Sequence, residues 1–421
     1  MKRLWKFLAI LIGLFLLTSA SFGVGLAAGS NNLFTPCIVR TGEQPAQFAI
    51  FWQAWNLVQK NFVDRSALDP VQLTYGAIRG MVNALGDTGH SNFLTPKERE
   101  LQASSLSGSF SGIGAQMGIR DGLPIIVAPI DGSPAAKAGI KAGDILIRVD
   151  GEDVTTTDLS AIVEKVRGPA GSTIQLTILR PSDRKTYDFT ITRSEIDVPA
   201  ASWAMVPGTN VAMIRLSQFS ENAERDVTNA LQAAQQAGAT GLIFDVRNDP
   251  GGLLDQAIKV TSQFLKDGNV LLEEDAQGNR NAFAVQPPEH PNEMPLVVLV
   301  NPGTASSAEI FAGAIQDHQR GKVVGETTFG TGTVLQPFIL DDDSALLLGV
   351  KQWLTPDGRV IRNHGIQPDE VVTMPLGADL LTPPDLESMS PEDVRASADA
   401  QVQKALELLD ASPAATPTSS Q

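Results

Sequence analysis

The stretch Leu242-Ile243-Phe244-Asp245-Val246-Arg247-Asn248-Asp249-Pro250-Gly251-Gly252-Leu253-Leu254 decides how this chain is read. An apolar run of strand length ends in a Pro-Gly-Gly turn and opens directly into a helical pattern over residues 253–265. A near-continuous apolar run marks a strand buried on both faces. A turn leading straight into a helix leaves backbone N–H groups unpaired at the positive end of the helix dipole, which suits an oxyanion. The arrangement recurs downstream. Val297-Val298-Leu299-Val300 runs into Asn301-Pro302-Gly303-Thr304-Ala305-Ser306-Ser307-Ala308-Glu309, now with a serine at the elbow. Alone, the first turn is equally an ordinary strand–helix connection, and a lone Ser306 reads as a helix N-cap.

Around these two turns the pattern is strand–helix–strand. Strands are expected at 211–216, 242–246, 296–300 and 323–325, with helices at 227–237, 253–265 and 306–318. Buried apolar strands alternating with helices predict a layered α/β core over residues 197–376. Residues 107–196 have another character. β-type runs at 125–127, 145–149, 174–178 and 187–191 alternate with turn signals, and two short helices fall at 134–138 and 158–166. That is a small, partly open β-barrel. It carries Gly112-Ile113-Gly114-Ala115 and Ser133-Pro134-Ala135-Ala136-Lys137-Ala138-Gly139-Ile140-Lys141-Ala142-Gly143-Asp144. Successive N–H groups of such a loop can capture a C-terminal carboxylate, and the adjacent sheet edge can take the peptide as an extra strand. The stretch resembles a PDZ domain.

Residues 41–106 read as helical, with Phe48, Phe51, Trp52, Trp55, Val58 and Phe62 on one face and a second helix near 71–85. A turn-rich run follows, Asp87-Thr88-Gly89-His90-Ser91. Residues 1–40 form a separate leader: Lys2, Arg3 and Lys6 precede an apolar run over 7–28. It is either a signal-peptide core or a retained membrane anchor, and in both cases the rest of the chain is expected to be exported. Residues 377–421 read as a loose tail with one helix near 391–409 and a low-complexity, disordered end.

The whole chain has 421 residues and a net charge of −15, which argues against a nucleic-acid partner. Its single cysteine, Cys37, excludes an internal disulfide, and four histidines leave little material for a metal centre. No cofactor is expected.

Residues 48–376 resemble the carboxy-terminal processing (tail-specific) serine peptidases. The likeness includes the two turn motifs, the PDZ-like stretch, Arg215-Leu216-Ser217-Gln218-Phe219, Gln316-Asp317-His318-Gln319-Arg320 and Thr355-Pro356-Asp357-Gly358-Arg359. The resemblance implies a crotonase-like core and Ser306 as nucleophile. It places the oxyanion hole at Gly251, Gly252 and the N–H of Ser307. It also implies substrates with free C-termini, docked at Gly112, Ile113, Gly114 and Ala115. One position departs. Where the family places an activating lysine, this chain has Thr331 in Phe329-Gly330-Thr331-Gly332-Thr333-Val334-Leu335-Gln336, and the supporting glutamine is displaced to Gln336. A threonine hydroxyl is no general base. His90 is then the leading candidate, because tricorn-type members of the wider superfamily draw a histidine base from a similar N-terminal position. A histidine, ordinarily titrating near 6.5, suits the task. His318, His290 and His364 have weaker cases. The expected activity is PDZ-guided cleavage near unstructured C-termini by acyl transfer. The alternative is a catalytically silent, peptide-binding scaffold. An acyl-CoA enzyme is disfavoured because it leaves the PDZ insertion unexplained.

Overall fold

The structure, a computed structural model, describes residues 47–87, 90–130 and 132–409. The leader with its apolar run over 7–28, Cys37, residues Thr88 and Gly89 and the end from 410 lie outside the described residues. Among the described residues no helix is long and apolar enough to cross a membrane.

The chain divides at Thr74/Tyr75 into two units. The first holds helix α1 (Phe48–Asn61) and the start of α2 (Pro70–Asn83). The aromatic spacing in α1 places rings one turn apart, with Phe51 and Trp55 at 6.2 Å and Trp52 and Trp55 at 6.4 Å.

In the second unit β1 (Asn92–Leu94) follows His90 directly and α3 (Pro96–Leu106) comes next. Helix α3 starts where Thr95 and Glu98 reciprocally bond each other's backbone N–H groups, with Pro96 at the first helical position.

A β-barrel-like module then spans β2 (Ser109–Gly112), β3 (Ala115–Arg120), β4 (Leu123–Pro129), α4 (Pro134–Ala138), β5 (Ile145–Val149), β6 (Glu152–Asp153), α5 (Leu159–Val166), β7 (Thr173–Arg180), β8 (Lys185–Thr192) and β9 (Ser194–Asp197). Its sheet runs β3-β4-β5-β7-β8, with β6 added to β5. Ile126, Leu146, Ile162, Ile174, Leu176 and Ile178 fill its own core. The two-stranded β2–β9 ribbon brings the entering and leaving chain side by side, Ser109 opposite Asp197. That is how an independent core sits as an insertion in the surrounding fold.

The remainder comprises β10 (Ala201–Met205), β11 (Val211–Leu216), α6 (Ala223–Gln236), β12 (Gly241–Asp245), α7 (Leu254–Ser262), β13 (Asn269–Glu274), β14 (Arg280–Ala284), β15 (Leu296–Val300), α8 (Ser307–Asp317), β16 (Lys322–Gly325), β17 (Thr333–Ile339), β18 (Ala345–Leu354), β19 (Glu370–Val371), α9 (Pro383–Ser388), α10 (Pro391–Ala396) and α11 (Ala400–Leu408). The main sheet has the order β10-β11-β12-β15-β16-β19 and is parallel from β11 to β19. Alternate residues enter opposite cores. Leu242, Phe244, Val298 and Val300 pack with α6, α7 and α8. Ile243, Val297 and Leu299 pack against Leu381, Leu386, Val394, Val402 and Ala405. A second sheet, β1-β18-β13-β14 with β17 also on β18, carries His90 and Thr331 at the approaches to β1 and β17.

The segment after residue 377, expected as loose, is therefore the second cover of the main sheet as far as Leu409. Its three helices are short and begin at Thr-Pro, Ser-Pro and Asp-Ala, so their composition resembles a linker. What holds them is burial. A sheet of fully apolar strands needs cover on both faces, and Arg247 supplies the polar anchor. This fully buried side chain donates to Asp245 (2.9 and 3.0 Å), to both oxygens of Asp399 (3.0 and 2.9 Å) and to Gln401 (3.1 Å). Asp399 also caps α11 through the Val402 amide. Replacing Arg247 by Met leaves the buried carboxylate of Asp399 without its cation, while Asp245 keeps Arg215 at 2.7 Å. Urea unfolding of Arg247→Met is expected to show a loss of about 3–5 kcal/mol; a loss under about 1 kcal/mol would contradict the anchoring role.

Candidate active site

Strands β12 and β15 are parallel neighbours, Phe244 opposite Val298 and Asp245 opposite Leu299. Their carboxyl ends, and hence both sharp turns, emerge side by side, the usual place for a site in an open α/β sheet. The turns satisfy each other's polar groups. Ala305 N–H donates to Asp249 O (2.9 Å), Thr304 Oγ1 to Val246 O (2.8 Å) and Asn301 Nδ2 to Asn248 Oδ1 (2.8 Å).

At the elbow Ser306 has φ 53° and ψ −118°. A non-glycine residue there costs of order 1–3 kcal/mol and marks a constrained site. The Glu309 amide bonds the carbonyl oxygen of Ser306 (2.8 Å) and also faces its hydroxyl oxygen in a capping box, and among the described residues the Ser306 hydroxyl donates no hydrogen bond. Glu309 is the hub of the site. It is fully buried, and Oε2 accepts from Ser306 N (2.9 Å) and Thr331 N (2.8 Å), while Oε1 accepts from Thr328 Oγ1 (2.6 Å) and Gly330 N (2.6 Å). The segment that lacks the expected lysine is thereby fastened to the backbone of Ser306. Thr331 is buried and brings no charge. Lys351, on β18, is committed to Glu273 at 2.9 Å.

Gly251 lies against the elbow: a Cβ there would fall 2.7 Å from Ser306 Cβ and 2.8 Å from Ser307 N. Its own N–H, however, donates to Asp249 Oδ1 at 2.7 Å. Gly251 therefore shapes the turn rather than offering the oxyanion donor expected of it. The Gly251 carbonyl accepts from Phe219 N (2.9 Å). In a planar trans peptide the Gly252 N–H must then point the opposite way. The Ser307 N–H is one of the first, unpaired amides of α8, and the Ser307 hydroxyl donates to Gly252 O (3.0 Å). Gly252 and Ser307 are the two open amides beside Ser306.

His90 is buried, with Nδ1 3.4 Å from Asp87 Oδ1. Its ring lies 5.8 Å from that of Phe329. Phe329 N–H donates to Thr304 O (3.0 Å), two residues before Ser306. The other histidines are placed differently. His318 Nε2 contacts Asn269 O at 2.8 Å and its ring packs on Gly268, His364 faces Arg362 O, and His290 is exposed beside Glu289. Burial would raise the carboxyl of Asp87, but the Ser91 hydroxyl and amide and the Arg362 guanidinium hold it below the usual range.

In the inserted module β3 is an edge strand, paired only with β4, and α5 packs beside it. The carbonyls of Ile113 and Gly114 turn inward to the amides of Ala135 (2.8 Å) and Ile130 (2.9 Å). By the same planarity the N–H groups of Gly114 and Ala115 point outward, a pair of donors at the head of the open edge.

Sequence reasoning missed Glu309, Asp249 and Arg362. The Ser-x-x-Glu spacing from Ser306 to Glu309 was an available signal for the first; the other two depend on tertiary placement. Asp249 is fully buried, and its Oδ2 has no partner. Burial pushes its carboxyl well above the ordinary 3.8, against the Gly251 amide and Arg215, with Asp245 adding to the rise. The native state thus keeps a proton that the unfolded chain releases, so stability from this group falls as pH rises above about 4. Asp249→Asn keeps the bond from Gly251 and removes the titration. Its melting temperature is expected to gain on the parent progressively as pH rises above about 4; parallel curves would contradict a buried neutral acid.

Residues 210–372 match peptidase family S41 and residues 125–180 match a PDZ domain. The chain is 36% identical over 362 residues to the carboxyl-terminal-processing protease of Synechocystis sp., covering 85% of this chain and 81% of that one. It is 34% identical over 348 residues to the carboxy-terminal processing protease CtpA of Bacillus subtilis, covering 82% and 73%. It is 36% identical over 335 residues to the carboxy-terminal-processing protease of Bartonella bacilliformis, covering 78% and 76%. With two strand-end turns, Ser306 at the elbow of the second, and an inserted PDZ domain, the chain belongs to peptidase family S41, as a PDZ-containing serine peptidase of the carboxyl-terminal-processing group.

Proposed function

We propose that this protein is an exported endopeptidase that cleaves polypeptides near unstructured C-termini, with Ser306 as nucleophile and His90 as base. The observation that carries the reading is the strained elbow of Ser306, its hydroxyl proton uncommitted, beside the open amides of Gly252 and Ser307. Ser306 Oγ attacks the scissile carbonyl carbon and its proton passes to His90. The two amides hold the oxyanion, His90 returns the proton to the leaving amine, and water then hydrolyses the acyl-enzyme by the reverse sequence. His90 is favoured because it is a buried imidazole with a carboxylate at Nδ1 and a ring contact to the loop that bonds Thr304. Glu309 fixes the elbow against that loop in place of a lysine-centred arrangement.

The substrate's C-terminal carboxylate would bind the Gly114 and Ala115 amides, with its last residues added as a strand to β3. We read the core as crotonase-like and the leader as directing export, residues 7–28 serving as a signal or an inner-membrane anchor in a periplasmic or equivalent space. The silent-scaffold reading rests on Thr331 alone, and the proteases among the relatives weigh against it.

The test uses the full chain and an unfolded polypeptide with a free C-terminus. Ser306→Ala is expected to lower kcat by about 10³-fold or more, and cleavage surviving it would overturn the nucleophile assignment. His90→Ala is expected to lower kcat comparably, and near-parental activity would remove His90 as base. Amidating the substrate's C-terminus is expected to raise KM about tenfold with kcat held, the loss of one charge-assisted site. An unchanged KM would contradict capture of the carboxylate.

A further inference from the structure

Asp87, Ser91, Thr333, Gly349 and Arg362 meet around His90 from four separate parts of the chain. Asp87 Oδ2 accepts from Ser91 N (3.1 Å) and Ser91 Oγ (2.7 Å), and Ser91 Oγ in turn accepts from Gly349 N (3.0 Å) on β18. Asp87 Oδ1 accepts from Arg362 Nη2 (2.7 Å) and lies 3.4 Å from His90 Nδ1. Gly349 separates Asp87 from the start of β17: a Cβ there would fall 3.2 Å from Asp87 Oδ2 and 3.3 Å from Thr333 Cβ. Gly332, in the segment of the missing lysine, packs on the Arg362 backbone. Three buried polar atoms of this cluster have no partner: His90 Nδ1, Thr333 Oγ1 and Arg362 Nε.

A carboxylate that only closed a turn would need Ser91 and nothing more. This one faces an unpartnered imidazole nitrogen at a distance too long for a full hydrogen bond, while its nearer oxygen lone pairs are shared with a guanidinium. A base that gains a proton at Nε2 becomes a double donor, and its Nδ1–H then needs an acceptor. Asp87 Oδ1, 3.4 Å away, is the nearest such acceptor among the described residues.

We infer that Asp87 is a positioning residue for His90, fixing its tautomer and stabilising the imidazolium formed in catalysis, and that Arg362 sets how much of the Asp87 charge His90 feels. This rests on the reading of His90 as base. Among the described residues, these charged groups lie nearest His90. Asp87 comes from its own turn, and Arg362 reaches it through Asp87. Beyond the neutral ring of Phe329, the carboxylate of Glu309 is held by the amides of Gly330 and Thr331. From β18 the contribution is the backbone of Gly349, since Lys351 is paired with Glu273.

The test is the pH dependence of kcat/KM for the full chain on the unfolded polypeptide. Removing the anion disfavours the imidazolium, so Asp87→Asn should move the acid limb to lower pH by about one unit and lower the plateau about 10²-fold or more, with KM little changed. Arg362→Gln frees Asp87 to act on His90 and should move the same limb to higher pH by up to about one unit. Arg362 is half exposed, so this second variant decides the matter if Asp87→Asn does not fold. Acid limbs unmoved in both variants, with His90→Ala inactive, would overturn the role of Asp87 and leave the base in place. If only Arg362→Gln can be measured, a limb that stays put or falls overturns it equally. Activity and acid limb both persisting in His90→Ala would overturn the underlying assignment of His90 itself.

Discussion

The site depends on one constraint: two adjacent parallel strands end level with each other, so the turns that follow must occupy the same small space. Each turn's polar groups find partners in the other, through Ala305 with Asp249, Thr304 with Val246 and Asn301 with Asn248. That closeness leaves no room for side chains at Gly251 or Gly303, where a Cβ would meet Ser306 and Asn248 respectively. It also holds Ser306 at positive φ. The strain is sustained because both strands are buried on both faces, and Arg247 with Asp399 ties the second cover to the same strand end.

Against this frame, losing a lysine need not dismantle the site. Glu309 spends its four bonds on backbone amides and one hydroxyl, so the loop at Thr331 is held without any cation. The second sheet then brings β1 and β17 to either side of β18, which places the approaches to both strands, with His90 and Thr331, in one region. A base delivered from the N-terminal side of β1 needs no change in the main sheet. The acidic overall balance, −15, is compatible with this, because the local charges that matter are a few buried ones.

Much of this was legible in the sequence. Uninterrupted apolar runs such as residues 242–246 and 296–300 identify buried strands because parallel sheets are covered on both faces. The glycine and proline punctuation located the two turns and the serine between strand and helix. Other features could not be read from one dimension. Asp87 and Arg362 are 275 positions apart and meet only through tertiary folding. The donation of the Gly251 amide to Asp249 is a matter of turn geometry, so Gly251 and Gly252 looked equivalent as oxyanion donors. The helices after residue 382 are too short to carry a clear periodicity, and their order comes from covering a sheet rather than from intrinsic propensity.

As proposed, Ser306 is an activated nucleophile although, among the described residues, Thr331 stands where a lysine was expected. The most direct measurement is the rate and site of reaction of the full chain with a fluorophosphonate, followed by intact mass and peptide mapping. The expected result is a single adduct on Ser306 that forms faster as pH rises through the histidine range, and that forms at least tenfold more slowly in His90→Ala. No adduct on Ser306, or an adduct whose rate is indifferent to His90, would contradict it.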